Sequence, residues 1–136
     1  MLRENYILKE IFLSDVTSGD SAAKTSGMVF VPYKSRLKEV WITVNSTLTA
    51  RGKSNVNLVI KTAAGATVGT IMLGTTASGG TGDITAGTYE NATGQITVDT
   101  EIASNSSFVV SATTNGNGQD VSAPSLALVL EPVGAE

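Results

Sequence analysis

Apolar residues recur at every second position through most of the apolar runs of this chain. In the run from Val40 to Val44, Val40, Ile42 and Val44 fall on one face, and Trp41 and Thr43 on the other. Val56, Leu58 and Ile60 share a face in the next run, and the following run groups Val68, Ile71 and Leu73. Further on, Phe108, Val110 and Ala112 align, and Leu126, Leu128 and Leu130 point one way with Ala127 and Val129 opposite. A period of two is that of a strand with one face buried, and the β-branched residues filling these runs suit a pleated surface.

Turn residues separate the runs. Residues 50–55 (Ala-Arg-Gly-Lys-Ser-Asn) and 63–66 (Ala-Ala-Gly-Ala) read as connections, and Asn115-Gly116-Asn117-Gly118 reads as a hairpin turn. Pro124 stands just before the last run, where a missing N–H costs little, and Pro32 marks an edge or corner after Met28-Val29-Phe30-Val31. Residues 4–16 fit two patterns. A helix would align Leu8, Ile11 and Phe12, whereas a strand would align Ile7, Lys9, Ile11 and Leu13. The Ile, Tyr and Phe content favours an extended strand or arm. The expectation is an all-β, single-domain sandwich of about eight strands, jelly-roll-like, with residues 1–27 as an N-terminal strand or arm ahead of 28–136.

A length of 136 residues suits one domain, and 41% hydrophobic residues suit a folded one. The chain contains neither cysteine nor histidine. That removes disulfides, thiol chemistry, the usual zinc sites and the Ser-His-Asp or Cys-His nucleophile arrangements. Twelve acids always allow some carboxylate pair, so a glycosidase pattern has no specificity here. No secretory leader is apparent after Met1, and no run approaches the ~20 apolar residues of a membrane span. The expectation is a soluble protein made in the cytoplasm, with no cofactor and no membrane or nucleic-acid partner.

Charge divides along the chain. Through Lys61 there are nine bases and five acids; beyond it there are seven acids and no base. Such asymmetry can mark a partner surface. In a sandwich, however, early and late strands mix in space, and that is the favoured reading.

The stretch from Gly74 to Gly87 invites a ligand, with five glycines and Asp83 among fourteen residues. A phosphate loop needs Gly-Lys-Ser/Thr opening a helix, but Gly82 precedes Asp83, an acid that would repel phosphate. Dinucleotide spacing fails too, since the sixth position from Gly80 is Thr85. Asp83 has no companion at EF-hand spacing, leaving only Asp99, Glu101 or Asp120 as partners through the fold. Thr, Ser, Gly, Ala and Asn dominate residues 74–107, which read as one long loop, uncommon unless it binds or packs against something, and of a composition suited to close packing against a neighbour. Trp41, on the polar side of its strand, reads as a packing or interface residue rather than a sugar platform.

Taken in order, residues 28–50, 56–73, 77–87 and 103–132 resemble a group of small structural proteins of tailed phages, including cyanophages. The shared pattern is an apolar-Pro-polar segment, a Leu/Val-rich strand, a Gly-Ala turn, a Gly-Asp-Ile loop and a final alternating strand. The resemblance covers roughly residues 28 to 132. It implies a non-enzymatic, jelly-roll head decoration (cement) protein, trimeric, on the outer capsid surface of the virion, with the major capsid protein as partner. Contacts with capsid or sister subunit are then expected at Tyr6, Leu8, Phe12, Arg36, Lys38, Trp41, Arg51, Lys53, Gly80, Gly82, Asp83 and Tyr89. Two alternatives stay open. One is a fibre or tail appendage module that binds a host glycan through Trp41 and Tyr89. The other is a small polysaccharide lyase or hydrolase, suggested by fold analogy alone.

Overall fold

A computed structural model of the chain describes residues 6–17, 24–52, 55–76, 80–96, 100–115 and 119–133. Ten strands run in chain order: β1 (Ile7–Phe12), β2 (Lys24–Thr25), β3 (Val29–Val31), β4 (Ser35–Thr43), β5 (Asn55–Thr62), β6 (Thr67–Leu73), β7 (Glu90–Asn91), β8 (Thr100–Ile102), β9 (Ser106–Asn115) and β10 (Ser125–Pro132). They form two antiparallel sheets. In the first, β1 pairs β10, β10 pairs β4, and both β7 and β8 pair β4. In the second, β2 and β3 both pair β9, β9 pairs β5, and β5 pairs β6.

Two positions are broken strands. β7 and β8 lie end to end along β4, and β2 and β3 lie end to end along β9. The ten strands therefore fill eight positions. Counted along the chain, one sheet reads 1–8–3–6 and the other 2–7–4–5, the winding of a jelly roll. The expected β-sandwich is thus the observed one, and residues 7–12 take the strand alternative. Ile11 and Leu13 are buried, Leu8 and Phe12 exposed, and β1 is hydrogen-bonded along β10.

The core lies between the sheets. Val40, Ile42, Leu126, Leu128 and Leu130 of the first sheet are buried, as are Val56, Leu58, Ile60, Ile71, Leu73, Phe108 and Val110 of the second. Each such side chain contributes about 1.5–3 kcal/mol when withdrawn from water. Two β-bulges explain where the apolar spacing slips from two to three. Val129 opposes Glu39 and Leu130 opposes Leu37, so Lys38 is the extra residue that lets both Leu37 and Val40 face inward. Ile60 opposes Gly69 and Lys61 opposes Thr67, so Val68 is extra in β6.

One lateral side of the sandwich is closed by residues 92–96, which contain a 3-10 turn (Thr93–Gln95). Ala92 N–H donates to the Val40 carbonyl at 2.8 Å, and Thr93 Oγ1 accepts from Val40 N–H at 3.1 Å. From the other sheet, Met72 N–H donates to Gln95 Oε1 at 2.8 Å. Gly69 makes this closure possible, because a Cβ there would lie 2.6 Å from Ile96 Cγ2 and 2.8 Å from its Cα.

The structure corrects one expectation. Residues 74–107 are not one long loop, since β7, the 3-10 turn and β8 interrupt them. These elements escaped notice because each is three residues or fewer and too short to alternate. The Asn115–Gly118 turn falls mainly outside the described residues.

Candidate functional site

Jelly-roll winding brings four connections to one end of the sandwich: those after β1, β4, β6 and β9. The connection after β6 contains the glycine-rich stretch, and it is tied along the connection after β4. Leu48 and Ile84 exchange both backbone hydrogen bonds at 2.9 Å. Ala50 N–H donates to Asp83 Oδ1 at 2.7 Å, and Ala86 N–H donates to Thr47 Oγ1 at 3.1 Å. Gly87 N–H reaches the Val44 carbonyl, and Thr43 Oγ1 donates to the Thr88 carbonyl. Ile84 is fully buried in the core. Arg51 N–H donates to the Gly74 carbonyl, which also accepts from Gln119 Nε2 at 2.7 Å. Gly74 has φ +74, and a Cβ there would meet Leu48 Cδ2 at 2.8 Å, so this crossing requires glycine.

The Gly-Asp-Ile element therefore works inward. Gly82 turns the chain at φ +69, Asp83 satisfies a backbone donor, and Ile84 anchors the loop. Among the described residues no group of three or more potential metal ligands forms, around Asp83 or elsewhere. Asp99, one suggested companion, lies outside the described residues. At the same end, Thr47, Thr49, Arg51, Gln119 and Asp120 line a polar cleft of about 330 Å³. Beside it, Asp15 Oδ1 accepts from Ala123 N–H at 2.9 Å, while Val16 and Val121 exchange backbone bonds.

The charged candidates on β4 lie beside strands that carry acids. Arg36 stands directly opposite Glu131 on one side and Glu101 on the other, and Lys34 pairs Glu101 at 3.3 Å. Early bases and late acids are interleaved because β4 sits between β10 and β8. Lys38 is the bulge residue. Trp41 lies half-buried on the outer face between Ala127 and Asn91, and its Nε1–H donates to Glu39 Oε1 at 2.9 Å. Arg51 is exposed at the cleft, Gly80 is half-buried, and Tyr6 is half-buried just ahead of β1. Lys53 lies outside the described residues.

Exposed apolar side chains concentrate elsewhere. Six large ones are exposed among the described residues, and five belong to β1 or residues 28–33: Leu8 58%, Phe12 64%, Met28 76%, Phe30 57% and Tyr33 64%. β1 ends the first sheet, β3 ends the second, and the two approach each other, so these residues flank one lateral edge. The sixth, Tyr89, lies toward the opposite edge, just before β7. Leu8 and Phe12 were expected as contacts; Met28, Phe30 and Tyr33 were not. Their signal was Met28-Val29-Phe30-Val31, a strand apolar on both faces, where only one face can enter the core.

No family model matches this chain, and no curated protein matches it. Among solved structures, the chain is similar to one of infectious bursal disease virus, Gx strain, at 14% identity and a TM-score of 0.43, over 98% of this chain and 34% of that one. A second, of the Gt strain, is similar at 13% identity and a TM-score of 0.43, over 98% and 33%. The chain thus spans about a third of the length of these solved chains.

Proposed function

We propose that this chain is a non-enzymatic structural protein of a virion, a decoration protein that seats on the outer surface of a phage head as a trimer and stabilises it. The observation that carries this reading is the edge of β1 and residues 28–33, where five large apolar side chains stay in water on a sandwich whose core is already complete. Exposed apolar surface of this kind marks protein–protein contact. Its placement on a rigid sheet edge suits packing on a repetitive surface rather than chemistry. The resemblance of residues 28–132 to phage head decoration proteins supplies the partner class, the major capsid protein. Each bound copy would favour the assembled shell over its dissociated parts by mass action.

Imaging of the parent particle tests this directly. Subunits of 14.0 kDa should appear as added density on the head, absent from particles lacking this chain, and those particles should disrupt at a lower temperature. Density on the tail or fibre instead would overturn the reading. A second reading, a tail or fibre module that binds a glycan, is favoured by the polar cleft of Thr47, Thr49, Arg51, Gln119 and Asp120. A glycan array separates the two, since binding abolished by Arg51→Ala would support the cleft.

A further inference from the structure

We infer that Lys9 guards the edge of the first sheet: its inward-pointing charge keeps β1 from pairing with a strand of another molecule, and its loss would open that edge to strand addition.

A sheet edge presents unpaired N–H and C=O groups, which template pairing with an extended chain. Two open sheets have four edges. Here they are β1 and the β7/β8 position in the first sheet, and the β2/β3 position and β6 in the second. Three of them are blunted by their backbone. β7 has two residues and β8 three, with the 3-10 turn of Thr93–Gln95 between them. β2 has two residues and β3 three, and Pro32, which has no N–H to offer, directly follows β3. β6 has seven residues but is covered. Thr81 N–H donates to the Met72 carbonyl at 3.0 Å, Met72 N–H donates to Gln95 Oε1 at 2.8 Å, and Gly69 bridges Ile96.

β1 is different. Its six residues run in unbroken register along β10, from Ile7 opposite Leu130 to Phe12 opposite Ser125. Among the described residues, no backbone hydrogen bond reaches its other side. The strand has no proline, glycine or bulge, and Ile-Leu-Lys-Glu-Ile-Phe is rich in β-branched and aromatic residues. Such a segment on an open edge is an aggregation hazard unless something interrupts it.

Lys9 interrupts it from the inner side. Ile7, Lys9 and Ile11 alternate inward, and Lys9 stands directly opposite Leu128, which is fully buried. Ile11 is buried and Ile7 packs against the core, whereas Lys9 is half-buried. At a sheet edge a lysine stem lies along apolar surface while its ammonium reaches water sideways. A strand added beside β1 would close that exit and set its own inward side chains around the charge. Enclosing a charge among apolar side chains opposes the addition. Glu10, exposed on the outer side, would stay in water whichever strand was added. The facing edge repeats the arrangement, for Lys24 of β2 stands opposite the buried Ala112. Partners then meet β1 through its outward side chains and not through its backbone.

Substitutions on β1 of the full chain test this. Lys9→Met keeps the length of the stem and removes the charge. Lys9→Glu keeps a charge and reverses its sign, and Glu10→Gln removes a charge from the outer side of the same strand. Sedimentation velocity at tens of micromolar compares each with the unsubstituted chain, and amide hydrogen exchange locates any new contact. Lys9→Met should form larger species, associating roughly tenfold or more strongly than the unsubstituted chain, with slowed exchange within residues 7–12. Lys9→Glu and Glu10→Gln should sediment like the unsubstituted chain. Lys9→Ile replaces Lys9→Met should the latter lose its fold by circular dichroism. Unchanged sedimentation of the uncharged variant would overturn the inference. So would new association that leaves exchange in 7–12 unaltered, or equal association of Glu10→Gln or Lys9→Glu, which would show that an inward charge is not what protects the edge.

Discussion

The glycine-rich loop at 74–88 and the apolar edge at β1 and 28–33 make opposite use of their surfaces. The loop has the composition of a recognition element, yet Asp83, Gly74 and Ile84 are all committed to residues 44–51 or to the core. The edge has an unremarked composition of ordinary strand residues, yet it leaves Leu8, Phe12, Met28, Phe30 and Tyr33 in water. A backbone donor already satisfied has little left for a partner, whereas an apolar side chain left in water gains by meeting one. In this loop Gly74 marks a close internal approach, whereas Gly82 and Gly87 serve left-handed turns with nothing within 4 Å of a Cβ. Surplus apolar surface is marked instead by a segment that is apolar on both faces, Met28-Val29-Phe30-Val31.

The contrast can be broken where it is strongest. Ile84→Ala should destabilise the fold by about 3 kcal/mol, because it empties a fully buried site and frees the loop. Urea unfolding would read this as a lower midpoint at unchanged slope; a shift below ~1 kcal/mol would mean that the loop is not anchored there. Gly74→Ala should cost about 2 kcal/mol, combining a left-handed backbone with the 2.8 Å approach of Leu48 Cδ2. The same measurement decides it, and a neutral result would show that the crossing relaxes easily.

Smaller effects sharpen the comparison. Asp83→Ala should cost about 1 kcal/mol by removing the acceptor of Ala50 N–H. Asp83→Asn, which keeps an oxygen, should recover most of that. If Asp83→Ala leaves urea stability unchanged but weakens particle binding, the carboxylate serves a partner after all. At the edge, Leu8→Ser and Phe30→Ser should change stability by less than ~0.5 kcal/mol while reducing assembly. A large loss of stability from either would place these side chains in the fold rather than on a contact surface.

Much of the architecture was legible because it rests on a short-range rule. Burying one face of a strand requires apolar residues at every second position, and Val40–Val44, Val56–Ile60, Phe108–Ala112 and Leu126–Leu130 obey it. Even the bulges were written as a change of spacing, Leu37 to Val40 and Val68 to Ile71. β7 and β8 were not legible, since two or three residues show no period and their pairing with β4 depends on residues about fifty and about sixty-five positions away, respectively. The interface candidates divided in the same way. Leu8 and Phe12 could be placed on the solvent side once residues 7–12 were a strand. The placing of Arg36 opposite Glu101 and Glu131, and the hydrogen bond of Asp83 with Ala50, depend on which strands and loops become neighbours.

By itself, the order of residues determined that this chain is all-β and that it lacks histidine and cysteine chemistry. Those are properties of composition and of period two, and they need no knowledge of distant contacts. Only the winding of the two sheets decided the rest. It laid the glycine-rich loop across residues 44–51, closed one side with residues 92–96, and brought β1 and β3 together on the other. Each of these depends on contacts between residues far apart in the chain, whose energy exists only once the whole sandwich has closed.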